Sequence, residues 1–367
     1  MEKEEKDVMQ EKQTSSEIIV PVPEEREHKK LTMLDVLARL SPGKNLRAAL
    51  DDIQEGKTGA LIVVDNPLVR NLIDGGFRIN SSLTMQKLCE LAKMDGAIII
   101  SDDLKRILMA NVLLVPDSNI PTNETGTRHK AAERTAIQAG TLVLAVSQRR
   151  NKITIFYDDK KYILEDSENL LRRATETLNI LEKQREIFDD LLKNLNILEI
   201  TKLVSIADVC SLLQRIEIIL KMMDTMKRYL TELGNQGVIL RMRIKEISKD
   251  IEQTESLLLI DYSNRSTNVK KILSNINFEG LLDLESFSRL VFEVSPDTQV
   301  SPRGFRLLEK LNLTEREMKA IIASFDNLSN VMDAEEHELS KILKAKAGSF
   351  KRELSNLKEQ ILVGKNI

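Results

Sequence analysis

A chain of 367 residues, 42% of them hydrophobic, is long enough for two or three domains with cores of ordinary size. Its net charge of −3 excludes general nucleic-acid binding over the whole surface, so any polyanion site must be local. With 4% aromatic residues, no Trp and only Cys89 and Cys210, it offers no large aromatic ligand cage, no disulfide framework and no zinc site, and it fits a reducing cytoplasm.

Residues 1–30 are densely charged, from Glu2, Lys3, Glu4, Glu5 and Lys6 onward, and hold no apolar signal core; they read as a disordered leader and not as a secretory peptide. No apolar run approaches a membrane span, so no membrane partner is expected. Residues 31–166 are mixed. A short helix over 34–40 is broken by Ser41-Pro42-Gly43, and Leu46, Ala49, Leu50 and Ile53 recur at the spacing of a second helix. Continuous apolar runs over 59–64, 97–100, 111–115 and 141–146 predict buried strands. Helices are expected over 83–92 and 128–139, the second stopped by Gly140. Residues 152–157 and 162–164 complete the set as a hairpin. The expected fold is an α/β catalytic domain with a mixed sheet covered by helices.

An all-α spine is expected over 167–298. Leu171, Ala174, Leu178, Leu181, Phe188, Leu191, Leu192 and Leu195 recur mostly every three or four residues, as do Leu203, Ile206, Val209, Leu213, Ile216, Ile219, Leu220 and Met223. No Pro interrupts the chain between Pro121 and Pro296, which favours long helices in a bundle or spine. Residues 299–367 read as a compact module of short helices, one opening at Thr314 with Glu317 three residues on.

Two segments carry chemistry. Met94-Asp95-Gly96-Ala97 precedes a strand, which places the Asp95 carboxylate at the sheet rim, where it could hold a metal ion, and Gly96 where a ligand could approach the backbone; an Asp-Gly pair also serves as an ordinary turn. Gly126-Thr127-Arg128-His129-Lys130-Ala131 opens a helix, and first-turn N–H groups with nearby cations suit a phosphate, although Thr127 could equally act as a cap. A Gly-x-x-x-x-Gly-Lys-Ser/Thr loop is absent, which removes the common nucleotide-hydrolase reading.

An Asp-Gly-Ala turn followed about thirty residues later by a Gly-Thr-Arg-His turn resembles the diadenylate cyclase family. Gly59-Ala60-Leu61-Ile62, Gly75-Gly76-Phe77, Ala110-Asn111-Val112, the run from Pro121 to Gly126 and the run from Ala145 to Asn151 extend the resemblance, and the helical middle and tail are similar to those of its DNA-integrity scanning members. The resemblance implies an enzyme that condenses two ATP into cyclic di-AMP across two facing catalytic domains, with Mg2+ or Mn2+, in a homo-oligomer that in this family is an octamer. It implies Asp95 as the catalytic, metal-binding carboxylate, Thr127, Arg128, His129 and Lys130 as phosphate ligands, Gly96 and Leu114 at the adenosine, and Ser147 and Arg150 near phosphates; Asn111 is a further candidate.

Two departures stand out. Where the family has Arg-His-Arg-Thr, this chain has Arg128-His129-Lys130-Ala131, losing a bidentate fork and a hydroxyl. A helix-hairpin-helix tail would turn through Gly-apolar-Gly, whereas this chain has Leu343-Lys344-Ala345-Lys346-Ala347-Gly348. From residue 301 on, 12 Lys and Arg stand against 10 Asp and Glu, a net of +2, so Arg303, Lys344 and Lys346 are the DNA candidates on a small electrostatic footprint. The competing readings are a DNA-structure sensor with an impaired cyclase domain and a structural hub built on the leucine stripes.

Overall fold

The computed structural model describes residues 31–263 and 266–365, and the leader expected over 1–30 lies outside the described residues. Eight strands form one mixed sheet: β1 (Ala60–Val64), β2 (Ile73–Asp74), β3 (Phe77–Ser82), β4 (Ala97–Ile100), β5 (Arg106–Leu114), β6 (Leu142–Ser147), β7 (Lys152–Tyr157) and β8 (Lys160–Leu164). Their order is β2-β5-β4-β1-β6-β7-β8, with β3 also alongside β5; β1 and β4 run parallel and the other pairs antiparallel. β1 and β4 are buried along their whole length, as their continuous Ala, Ile, Leu and Val runs require of strands covered on both faces.

The sheet departs from the sequence expectation on one side. β2 and β3 were not expected, and β5 begins at Arg106, five residues before the apolar run. β3 is mostly exposed, so its residues, Phe-Arg-Ile-Asn-Ser-Ser, never needed the apolar alternation that marks a half-buried strand. β5 is kinked at Asn111, which holds φ of 55°, a left-handed value that Asn tolerates better than most residues, and the β4–β5 register shifts beside it.

Alternate residues along the strands face opposite layers. Leu61, Val63, Ile99, Val143, Ala145 and Phe156 pack on α4 (Thr127–Ala139) through Ala132, Ala136 and Ala139. Three alanines on that helix let it lie close to the sheet. Residues of the opposite parity, among them Ile62, Ile98, Leu144 and Ile155, are equally buried; α1 (Met33–Arg39) is followed by α2 (Asn45–Glu55), which packs on β6 and β7, and α3 (Met85–Ala92) packs on β5.

The spine begins with α5 (Ser167–Thr201) and α6 (Ile206–Leu233), an antiparallel pair whose apolar stripes form one core with α7 (Val238–Ile247), α8 (Ile251–Tyr262), α9 (Ser266–Asn275) and α10 (Leu284–Phe292). At 35 residues α5 is roughly 50 Å long. Its buried stripe starts at Leu170, while Leu171 is exposed, so the expected stripe was one residue out at its first position. The spine is locked to the sheet by the buried Glu232 of α6, which accepts hydrogen bonds from the Tyr162 hydroxyl (2.6 Å) and the Glu165 N–H (3.0 Å).

The tail holds α11 (Phe305–Leu308), α12 (Glu315–Phe325), α13 (Leu328–Asp333), α14 (Glu336–Leu343) and α15 (Ala347–Leu362) around their own core, with Ile200 of α5 reaching into it. Thr314 and Glu317 form the expected reciprocal cap of α12. The joint to the spine is polar and buried. Asp261 accepts from the N–H groups of Gly304, Phe305 and Arg306, and the Arg306 guanidinium donates to Glu199 (2.7 Å) and Asn196 (2.5 Å). Between α14 and α15, Lys344 stands at φ 50°, ψ −123°, a turn conformation that glycine dominates.

Candidate active site

Strand direction brings Asp95, Gly96, Leu114, Ser147 and Arg150 to one end of the sheet. The N-terminal ends of β1, β4 and β7 lie with the C-terminal ends of β5 and β6, since Ala97 pairs with Val112, Ala60 with Val146 and Ser147 with Lys152. Asp95 and Gly96 precede β4 there, Ser147 ends β6, Arg150 lies in the turn that follows, and Thr127 starts α4.

Asp95 is exposed, as a rim carboxylate should be. Gly96 has φ of +85°, and a side-chain carbon on it would stand 2.9 Å from the Asn111 carbonyl carbon and from the Val112 oxygen. Close packing on the kink of β5 thus accounts for this glycine, and that contact fixes the height of Asp95 above the sheet. Leu114 is buried in the α4-side core, whereas its neighbour Leu113 is 61% exposed. The Ser147 hydroxyl accepts from the Arg150 N–H (3.2 Å), closing the β6–β7 turn.

Gly126, not Thr127, is the N-cap of α4, and no side chain caps the helix; the first helical hydrogen bond runs from the Lys130 N–H to the Gly126 carbonyl. The first-turn N–H groups of Thr127, Arg128 and His129 therefore keep their donor capacity, at the positive end of the helix dipole. The loop before it is anchored on the helix itself: Arg134 Nε donates to the Ile120 carbonyl (2.9 Å), Thr122 bonds Glu133, and Gln138 accepts from the Asp117 N–H (2.8 Å). Ala131 packs partly against the apolar core, so its methyl serves the helix–sheet contact.

Two residues of the site were not legible beforehand. Glu124, 9% exposed, forms an ion pair with Lys161 of β8. The cross-strand pairing of Phe156 with Lys161 puts Lys161 on the α4 face of the sheet, and Phe156 meets the His129 ring edge-on at 6.3 Å. Burial pushes the His129 pKa below its usual value; Glu124 opposes this, and Arg128, Lys161 and Arg150 add to it. Burial thus favours the neutral imidazole at His129, and the three cations against one carboxylate leave an excess of positive charge for an anion to meet. Among the described residues no three acidic, His or Cys side chains gather as a metal cage. A lone carboxylate at a phosphate site fits Mg2+ or Mn2+, which binds through one or two carboxylates with substrate phosphates and water completing the shell.

A model of the nucleotide-binding domain of the DisA bacterial checkpoint controller matches residues 47–161, and a model of the linker region of the same controller matches residues 164–294. Fold and site define the class: residues 47–161 form a diadenylate cyclase domain, and the protein is an enzyme of that kind. A DNA integrity scanning protein, DisA, from Clostridium acetobutylicum is 40% identical over 346 residues, covering 91% of this chain and 97% of that one. One from Clostridium botulinum is 39% identical, covering 91% and 98%. The chain belongs to the DNA integrity scanning protein (DisA) family. Two solved structures are also similar. A hypothetical membrane spanning protein from Bacillus cereus has a TM-score of 0.30 at 28% identity, over 33% of this chain and 62% of that one. A double mutant of DacA from Staphylococcus aureus has a TM-score of 0.29 at 24% identity, over 39% and 95%. No helix among the described residues is long and apolar enough to cross a membrane.

Proposed function

We propose that the chain condenses two ATP molecules into cyclic di-AMP, releasing two pyrophosphates. At each phosphorus the 3′-oxygen of the other nucleotide forms a P–O bond, the bond to pyrophosphate breaks, and the hydroxyl proton leaves. The observation that supports this reading is the uncapped N-terminus of α4, whose Arg128 guanidinium reaches Gly59 at the end of the sheet that also carries the Asp95 carboxylate. Thr127, Arg128, His129 and Lys130 hold the phosphates, with Arg150 and Ser147 beside them, and Gly96 and Leu114 border the adenosine. Asp95 is the residue that would hold Mg2+ or Mn2+, which when bound lowers the pKa of a hydroxyl and neutralises phosphate charge. His129, which burial biases toward its neutral form, can donate or accept a hydrogen bond there.

Each chain presents one such edge, so the chemistry needs two chains facing each other. A homo-oligomer follows, an octamer by family resemblance, in the cytoplasm. Regulation by branched DNA is part of the proposal, through a helix-hairpin-helix-like tail over 299–367. Of its three candidates, Arg303 donates to the Ile260 carbonyl and Lys346 pairs with Glu317, so Lys344 is the best placed to meet a phosphate. Mass spectrometry and pyrophosphate release on protein incubated with ATP and Mg2+ test the reaction. Two pyrophosphates per cyclic di-AMP are expected, and nucleotide turnover to ADP or AMP without cyclic product refutes it.

A further inference from the structure

Gly59 stands one residue before β1, and the β1–β6 register continues to place it opposite Ser147. Its φ lies outside the left-handed range, so the backbone there suits any L-residue and does not call for glycine. Space does. A side-chain carbon on Gly59 would lie 2.0 Å from Nη1 of Arg128, 2.8 Å from Cζ and 3.1 Å from Nη2. The guanidinium thus approaches this backbone position with Nη1 foremost. Among the described residues no hydrogen bond or ion pair holds that guanidinium, and Gly59 and Arg128 are both half-buried. Contact with the bare backbone, not a carboxylate, is what sets its place, and its N–H donors stay available to an anion.

We propose that Gly59 is a positioning residue of the cyclase: its missing side chain is the seat that fixes Arg128 at the nucleotide site. The inference rests on the reading of Arg128 as a phosphate ligand. A methyl at 59 must be cleared to roughly 3.5 Å, which displaces the guanidinium by more than about 1 Å. The long Arg side chain yields readily, so the cost falls on ligand geometry and leaves the fold alone; misplacement of that size in a reactive site costs up to ~100-fold.

The test is a double-mutant cycle in full-length protein on Gly59→Ala, Arg128→Ala and the pair. It reads kcat and KM for cyclic di-AMP formation, binding of the α,β-methylene analogue of ATP, and Tm. Gly59→Ala is expected to weaken analogue binding and lower kcat/KM about 10- to 100-fold with Tm unchanged. In the Arg128→Ala background it is expected to change neither, because no guanidinium remains to displace. Arg128→Lys, with its slimmer head, is expected to be less sensitive to Gly59→Ala than the parent. Wild-type behaviour of Gly59→Ala, an equal loss in both backgrounds, or a drop in Tm that accounts for the loss would each overturn the proposal. An Arg128→Ala variant that binds and turns over ATP normally would instead remove the reading of Arg128 on which it stands.

Discussion

Replacing Arg306 by Met removes the cation at the joint between spine and tail while keeping most of its apolar stem. Arg306 is 4% exposed, and its guanidinium is the ion-pair partner of Glu199, itself 3% exposed. Truncating one partner of a buried pair costs about 3–5 kcal/mol, because the surviving charge stays in a site that water cannot reach. Glu199 would keep the hydrogen bond from the Tyr262 hydroxyl (2.6 Å), which puts the cost at the lower end, about 3 kcal/mol. At 2–4 °C per kcal/mol the expected fall in Tm is roughly 6–12 °C. Limited proteolysis should then release the tail helices before the spine is cut, since the joint would lose its buried guanidinium and keep the Asp261 and Arg303 hydrogen bonds and the packing of Ile200. Adding Glu199→Gln, which removes the stranded charge, should recover at least half of the loss. A Tm for Arg306→Met within about 2 °C of the parent would refute the claim that this pair fastens the tail.

Lys344→Gly should raise Tm by about 2–4 °C, since glycine enters the Lys344 turn without strain; an unchanged or lower Tm contradicts the backbone assignment. Burial, then the hydrogen bond with Glu255, raises the Glu217 carboxyl to about 7. The native state thus holds a proton that the unfolded chain releases above its ordinary value near 4.5, so this group's contribution to stability is greatest at low pH and falls as pH rises from about 4.5 to 7. Glu217→Gln should flatten that part of the Tm–pH curve, and an identical slope in the variant refutes the assignment. Lys161→Met should raise the His129 pKa, because it removes a cation and frees Glu124 to act on the ring; with three His in the chain the NMR titration is directly assignable, and an unmoved His129 removes Lys161 from the site.

What could be read from the sequence depended on how much of each element is buried. β1, β4 and β6 announce themselves as apolar runs because both faces are covered. β3 does not, since an exposed edge strand carries polar residues for the same reason a loop does. Asp95 and the α4 turn were visible as motifs, since acid-glycine and glycine-threonine pairs mark helix and strand ends. Lys161 was not, because one lysine of a two-lysine turn looks solvated until the register with Phe156 shows which face it occupies. Gly59 looked like the start of a strand, and only the position of a side chain 69 residues later in the sequence explains it. Lys344 was read only as a DNA candidate, and that it would adopt backbone angles usual for glycine was beyond any pattern of residue types.

The central claim is that one sheet edge, with Asp95 as its essential carboxylate, makes cyclic di-AMP. The most direct measurement is cyclic di-AMP formed from ATP and Mg2+ by the parent chain and by Asp95→Asn, each verified by its Tm. Since Asp95 is exposed at a turn, the two should unfold within about 2 °C of each other. The parent should yield cyclic product and the variant essentially none, because a neutral amide is a poor ligand for a hard cation. Normal synthesis by Asp95→Asn, or no cyclic product from the parent, would contradict the account.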